Sequence, residues 1–182
     1  MNRARLHRSE LAVPGTNARA MEKAPTLGAH DWSRTAVSVR VNGLDTHWCY
    51  RDIIDVVEAR GEVLDTVLVP KVGAPSDVEF VATLLDQIEQ RNGWEAGRIG
   101  IHILIETAAG MADVESISRA RPDRLEAMVF GVADYAASVQ ASTTNIGGAN
   151  PDYAVLTDPS ADGSRQTHWG DQWHFGISRM VA

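Results

Sequence analysis

The sequence predicts an α/β protein built on a parallel sheet. Three observations carry this. Short β-rich runs recur along the chain, stretches with helical periodicity separate several of them, and some runs are apolar at nearly every position. Strands joined by helical crossovers lie parallel. Strands covered on both faces lose the apolar–polar alternation of a half-exposed sheet, as Thr66-Val67-Leu68-Val69 and Ile99 to Ile105 do.

The first β-rich run is Ser9–Val13, followed by a helix around Met21–Lys23. The second, Ala36–Val41, precedes a helix from Asp52 to Ala59 in which Ile53, Ile54, Val56 and Val57 share a face. The third, Thr66–Val69, leads to a helix from Asp77 to Gln90, where Val78, Val81, Leu85 and Ile88 recur at spacings of three, four and three. Ser76-Asp77-Val78-Glu79 has the capping-box pattern, with Ser76 and Glu79 satisfying free N–H groups at the helix start. Ile99–Ile105 and Leu125–Phe130 bring the strands to five. Past Asp134 the rhythm weakens, and Ser142 to Gly148 and Thr157 to Ser164 read as loops. The aromatic segment His168 to Phe175 then leads into a helix that reaches Ala182.

At roughly 150 residues per domain, 182 residues predict a single domain over 1–182. Seventeen Lys and Arg against 24 Asp and Glu leave a net charge of −7, which argues against nucleic acid as a partner. A hydrophobic content of 44% with 23% charged residues argues against a disordered chain. The lone Cys49 cannot form an internal disulfide and fits a reducing compartment. No apolar run approaches the ~18 residues that span a bilayer. Leu11-Ala12-Val13 is too brief for a signal-peptide core. A cytoplasmic protein without a membrane partner is expected.

In parallel α/β folds ligands bind at the carboxyl ends of the strands. Four polar residues fall there: Arg40, Lys71, Glu106 and Asp134. Two carboxylates with open coordination beside an Arg suit Mg²⁺, which takes oxygen ligands and keeps positions for water or substrate. The bland alternatives are an Asp134 that caps the following helix and a Glu106 paired with Lys71 or Arg40. Other candidates are weaker. His168 and His174 stand six apart, which is not the spacing of two ligands on one helix face. Trp169 and Trp173 read as an aromatic packing face and Gly147-Gly148 as a turn. His102 reads as a satisfied core histidine, and Cys49 as a poor nucleophile.

Five segments in order resemble the citrate lyase β-subunit / HpcH-HpaI aldolase superfamily: Arg8 to Asn17 with Met21 to Ala24, Ser38 to Thr46, Val69 to Gly73, Ile105 to Gly110 and Gly131 to Ser138. A sixth, Thr143 to Gly148, and the Trp-rich segment look closest to its L-malyl-CoA/β-methylmalyl-CoA lyase branch. The resemblance implies a (β/α)₈ TIM barrel that cleaves a 3-hydroxyacyl-CoA such as malyl-CoA or methylmalyl-CoA into an acyl-CoA and glyoxylate. It implies Mg²⁺, with Mn²⁺ as a substitute, and a homo-oligomer, trimeric or hexameric. Carried over residue by residue, Glu106 and Asp134 match the metal ligands and Arg40 the Arg that holds the reacting oxygen, making these three the catalytic set. Lys23, and with it Arg19, match basic residues near the CoA phosphates. Arg40, Ala133 and Asp134 complete the cofactor-binding set.

Two departures stand out. No Asp-Leu-Glu-Asp strand lies between Glu22-Lys23 and His30-Asp31-Trp32, so about one βα unit of the family is missing. The family also continues past the helix that reaches Ala182, into its last strands and a lid carrying an acidic catalytic residue. A barrel typically needs about 250 residues, so an incomplete one, lacking the second strand unit and the last strands, is expected. Two competing readings follow. One is a catalytically incompetent family member that binds metal or acyl-CoA, or pairs with a full-length subunit. The other is an open doubly wound domain for a phosphorylated ligand, with Glu106 and Asp134 far apart.

Overall fold

Five strands lie side by side in chain order, every neighbouring pair parallel: β1 (Val13–Pro14), β2 (Ser38–Arg40), β3 (Thr66–Val69), β4 (Gly100–Ile105) and β5 (Leu125–Phe130). The computed structural model describes residues 13–14, 36–143, 145–146, 150–169 and 171–182. Helix α1 (Cys49–Arg60) joins β2 to β3, and α2 (Pro75–Asn92) joins β3 to β4. Two short helices, α3 (Ala108–Ala112) and α4 (Val114–Ser118), join β4 to β5, and α5 (Val132–Ser138) follows β5. Beyond it come a 3₁₀ turn at Pro151–Tyr153, an antiparallel pair of strands, β6 (Val155–Leu156) and β7 (Thr167–Trp169), and α6 (His174–Val181). No helix among the described residues is long and apolar enough to cross a membrane.

The strand order runs without reversal, so the described sheet has no switch point of the doubly wound kind. β1 lies directly against β2, with Val13 opposite Val39, and no further strand intervenes. Among the described residues the sheet is open, with β1 and β5 at its margins. Ser9 to Ala12 of the first expected strand, and the helix expected around Met21–Lys23, lie outside the described residues.

The core follows from register. Val39, Val67 and Ile101 stand opposite one another across β2, β3 and β4, so their side chains share a face. They cluster with Ile53 and Val57 of α1 and with Val78, Val81 and Leu85 of α2, all buried. β4 is buried at every position, which is why it reads as a continuous apolar run. β5 is only half-buried, and its Val129 is 41% exposed, as expected at an open margin.

Helix α2 starts earlier than the Ser76 signal predicts. Pro75 occupies its first turn, and Ala74 is the residue before the helix. Proline's fixed φ suits that first position, where no N–H is needed. The reaching-back carboxylate is therefore Asp77, not Glu79: it accepts the N–H groups of Gly73 at 2.8 Å and Ala74 at 3.1 Å. The helix ends at Gly93, whose φ of 68° is the left-handed conformation glycine adopts without strain. Helix α1 begins at Cys49, ahead of the expected Asp52. The stretch Thr157 to Ser164 is a loop as read, but it joins β6 to β7.

The amino ends of β4 and β5 are held by a buried ion-pair network. Arg124, just before β5, and Glu89 of α2 are each only 1% exposed. The Arg124 guanidinium donates to both Glu89 oxygens at 3.0 and 2.7 Å, to the Ile99 carbonyl at 2.6 Å and to the Asp86 carboxylate. Glu89 also accepts the N–H groups of Ile99 at 2.8 Å and Gly97 at 2.9 Å. One helix and two strands are thereby tied together below the sheet. Breaking a buried pair strands the remaining charge. Arg124→Ala is therefore expected to cost about 3–5 kcal/mol in urea unfolding. Arg121→Ala, which removes the more exposed Arg121–Asp123 pair (2.7 Å) and an Asp86 contact, is expected to cost about 1 kcal/mol.

Candidate active site at the strand ends

Because the strands are parallel and in register, their carboxyl ends line one rim. Arg40 is the last residue of β2, Lys71 stands two residues past β3, Glu106 follows β4, and Asp134 lies in the first turn of α5 after β5. Four neighbouring strands thus each deliver one charged residue to the same edge, in the order of the strands.

Glu106 is the centre of the group. It is only 6% exposed, and one oxygen, Oε1, accepts the main-chain N–H of Lys71 at 3.0 Å. Burial raises its pKa above the usual carboxylate range, and the like charge of Asp134 raises it further. The Lys71 N–H and the positive charges of Arg40 and Lys71 pull the other way but do not restore it. All three other rim residues therefore act on this carboxyl group. The ammonium of Lys71 itself lies 3.7 Å from Asp45, so the direct contact of Lys71 with Glu106 is its backbone N–H and its charge acts from further off.

The loops that carry these residues are locally braced. Asp52 of α1 accepts both the backbone N–H of Asn42 at 2.9 Å and its side-chain amide at 2.7 Å, closing the loop after Arg40. Thr46 donates its hydroxyl to the Gly43 carbonyl at 2.8 Å in the same loop. Thr107 caps α3, its hydroxyl oxygen accepting the Gly110 N–H at 3.0 Å just beyond Glu106. Phe130, Tyr135 and Trp173 pack edge-on around the start of α5, with ring centroids 5.2 to 6.3 Å apart. Asp134 makes no side-chain cap; the residue before α5 is Gly131, whose N–H donates to the Ile105 carbonyl at 3.1 Å.

Of the residues singled out in the sequence, Arg40, Glu106, Ala133 and Asp134 fall at this rim, with Ala133 beside Asp134 in the first turn of α5. Arg19, Lys23 and Gly147-Gly148 lie outside the described residues. His102 is buried in β4, with its Nε2 3.9 Å from Glu126. Burial, followed by Asp52 and Asp45, pushes the Cys49 thiol up to about 11, which leaves it protonated and unreactive at neutral pH. His174 contacts Ser178 Oγ at 3.2 Å, within its own helix. Sequence reading missed the main-chain contribution of Lys71, for which the string Pro70-Lys71-Val72-Gly73 was the available signal. Two carboxylates, the buried Glu106 with positive charge acting on it and the exposed Asp134, are a set that a hard divalent cation accepts while leaving room for substrate oxygens. Among the described residues no cluster of three or more His, Cys, Asp or Glu stands ready to bind a metal.

Known proteins resemble this chain over most of its length. The family model HpcH/HpaI aldolase/citrate lyase matches residues 10–149. An L-malyl-CoA/β-methylmalyl-CoA lyase of Cereibacter sphaeroides is 43% identical over 152 residues, which are 84% of this chain and 45% of that protein. A malyl-CoA/β-methylmalyl-CoA/citramalyl-CoA lyase of Chloroflexus aurantiacus is 42% identical over 154 residues, 84% of this chain and 44% of that one. The chain thus spans less than half the length of these relatives. Among solved structures, RipC from Yersinia pestis superposes with a TM-score of 0.62 at 22% identity, covering 96% of this chain and 69% of that one. The citrate lyase β subunit from M. tuberculosis, complexed with oxaloacetate and magnesium, gives 0.54 at 20% identity, covering 94% and 62%. These likenesses place the five-stranded sheet among TIM-barrel-type folds, of which it is an incomplete example. By the span of the family match and the identity to its lyases, the chain belongs to the HpcH/HpaI aldolase/citrate lyase family.

Proposed function

We propose that the rim of β2 to β5 is the metal and oxyanion site of a CoA-ester lyase acting on a 3-hydroxyacyl-CoA of the malyl-CoA type. The observation that carries this is Glu106: a nearly buried carboxylate with a second carboxylate and two cations acting on it, at the end of a parallel strand. Glu106 and Asp134 would hold a divalent ion, Mg²⁺ or Mn²⁺, which supplies Lewis-acid polarisation of the substrate's oxygens. Arg40 would place fixed positive charge beside the oxygen on which negative charge develops as the carbon–carbon bond breaks. Ala133 lines the same turn as Asp134, and Arg19 and Lys23 would meet the CoA phosphates. Glyoxylate and a shorter acyl-CoA are the products, in a cytoplasmic, homo-oligomeric enzyme.

A second reading rests on the open sheet. With β5 at a margin and Val129 exposed, the described strands form part of a barrel, and such a site can bind its ligands without completing turnover. Two measurements separate the readings. Glyoxylate release from malyl-CoA in the presence of Mg²⁺, abolished by Arg40→Ala, establishes catalysis. Mn²⁺ and acyl-CoA binding without glyoxylate release establishes the binding-only form. In either case Glu106→Ala and Asp134→Ala are each expected to weaken Mn²⁺ binding about tenfold or more. Unchanged Mn²⁺ affinity in both variants would overturn the metal site.

The raised pKa of Glu106 also predicts how the metal-free protein responds to pH. A carboxylate whose folded pKa exceeds its unfolded value contributes stability below the unfolded value, and that contribution is lost as pH rises through the folded value. Wherever Glu106 is ionised, its charge is thus a burden on the metal-free fold. Glu106→Gln keeps an oxygen for the Lys71 N–H and removes the charge. Its thermal midpoint should exceed that of the wild type at pH 7, with the advantage shrinking as pH falls through the carboxylate range.

A further inference from the structure

We propose that Gly131 and Lys71 are positioning residues that hold Glu106 in one orientation from the two strand ends flanking it, Gly131 by lacking a Cβ and Lys71 by a main-chain N–H presented in the left-handed conformation. The inference rests on the metal reading of the preceding section and assigns roles to two residues outside its ligand set.

Gly131 comes first. Its φ of −91° is one that other residues adopt, so backbone freedom does not explain a glycine here. Space does. A Cβ built at this position would lie 2.5 Å from both Cβ and Oε2 of Glu106 and 3.3 Å from its Cδ. The Glu106 side chain therefore lies directly over the Gly131 backbone. That backbone is itself held beside β4 by the Gly131 N–H to the Ile105 carbonyl at 3.1 Å. Any side chain at 131 would drive Glu106 away from the start of α5, where Asp134 lies.

Lys71 acts on the other oxygen. Its φ of 55° falls in the left-handed region, uncommon for a residue with a side chain. In that conformation its N–H reaches Glu106 Oε1 at 3.0 Å, while its ammonium lies towards Asp45 at 3.7 Å. Oε1 is thus engaged by β3's end and Oε2 rests over β5's end, leaving the carboxylate little rotational choice. A ligand whose oxygens are set before the ion arrives loses less conformational freedom on binding. Observed backbone strain at a site is a pointer to such a role.

The test uses Mn²⁺, followed by electron paramagnetic resonance, together with metal-free thermal midpoints. The variants are Gly131→Ala, Glu106→Gly and their double, with Lys71→Gly and Lys71→Val. If Gly131 acts through Glu106, Gly131→Ala weakens Mn²⁺ binding about tenfold or more in the wild-type background and adds nothing in the Glu106→Gly background. The metal-free midpoint follows the same cycle, because Glu106→Gly removes the Cβ as well as the carboxylate that a Cβ at 131 would meet. Should Gly131→Ala alone fail to fold, the double variant, freed of that clash, is expected to fold. Lys71→Gly keeps the N–H and relaxes the backbone, so it should bind Mn²⁺ more tightly than Lys71→Val. Lys71→Val disfavours positive φ and should weaken binding about tenfold, although both variants lose the same charge.

A Gly131→Ala cost that is equal with and without Glu106 overturns the proposal for Gly131. Equal affinities for Lys71→Gly and Lys71→Val overturn it for Lys71. If Glu106→Gly leaves Mn²⁺ affinity unchanged while the metal-free cycle still couples 131 to 106, the metal reading fails and the positioning of Glu106 stands.

Discussion

A carboxylate is kept where its charge is disfavoured, and the site is organised around that constraint. Glu106 follows a strand buried at every position, so its side chain leaves the core edge with little access to water. One N–H satisfies one oxygen, and a second carboxylate adds like charge. Such an arrangement is costly in isolation and favourable once positive charge arrives, which is the usual logic of a preorganised ion or transition-state site. The parallel register makes it achievable. The strand ends fall within a few residues of one another in register, so one residue per strand places four charges along one rim.

The opposite end of the sheet is built on the contrary principle. Arg124 and Glu89 are among the most deeply buried residues of the molecule, yet each is engaged by several partners. The guanidinium meets a carboxylate with both forks, and that carboxylate also closes two backbone N–H groups at the start of β4. A second guanidinium, Arg98, donates to the carbonyls of Gly61, Glu62 and Leu64 beyond α1 and stacks on Trp94 with its charge 5.4 Å from the ring centre. Paired charges at the amino ends stabilise the fold, while the carboxylate at the carboxyl ends has a single main-chain N–H on one oxygen. The division matches the general one in β/α barrels, where stability and chemistry occupy opposite faces.

Several features were legible from local sequence because local physics decides them. β2 to β5 appeared as β-rich runs, β3 and β4 apolar at nearly every position, and α2 showed its buried face at helical spacing, since burial on a regular element imposes its own period. The end of each strand could be read from where apolar residues give way to polar ones. Arg40, Glu106 and Asp134 were therefore visible as strand-end residues, and family motifs singled them out from other charged positions. The capping pattern at Ser76 misled because two competent caps overlap. Pro75 settles the choice by fixing its own φ, and Asp77 then takes the role read for Glu79.

The amino-acid sequence by itself determined the α/β class, the parallel strands, the family and the residues at the rim, because each depends on neighbours a few positions away or on motifs in order. Only the tertiary structure decided which residues serve Glu106 and which hold the sheet from below. Lys71 is 35 positions from Glu106, and Arg124 is 35 from Glu89. The first contact uses a main-chain N–H, which every residue but proline carries, so no side-chain pattern announces it. Gly131 is similar: its meaning is the absence of an atom where another strand's side chain must lie. Contacts of that kind exist only once the strands are side by side.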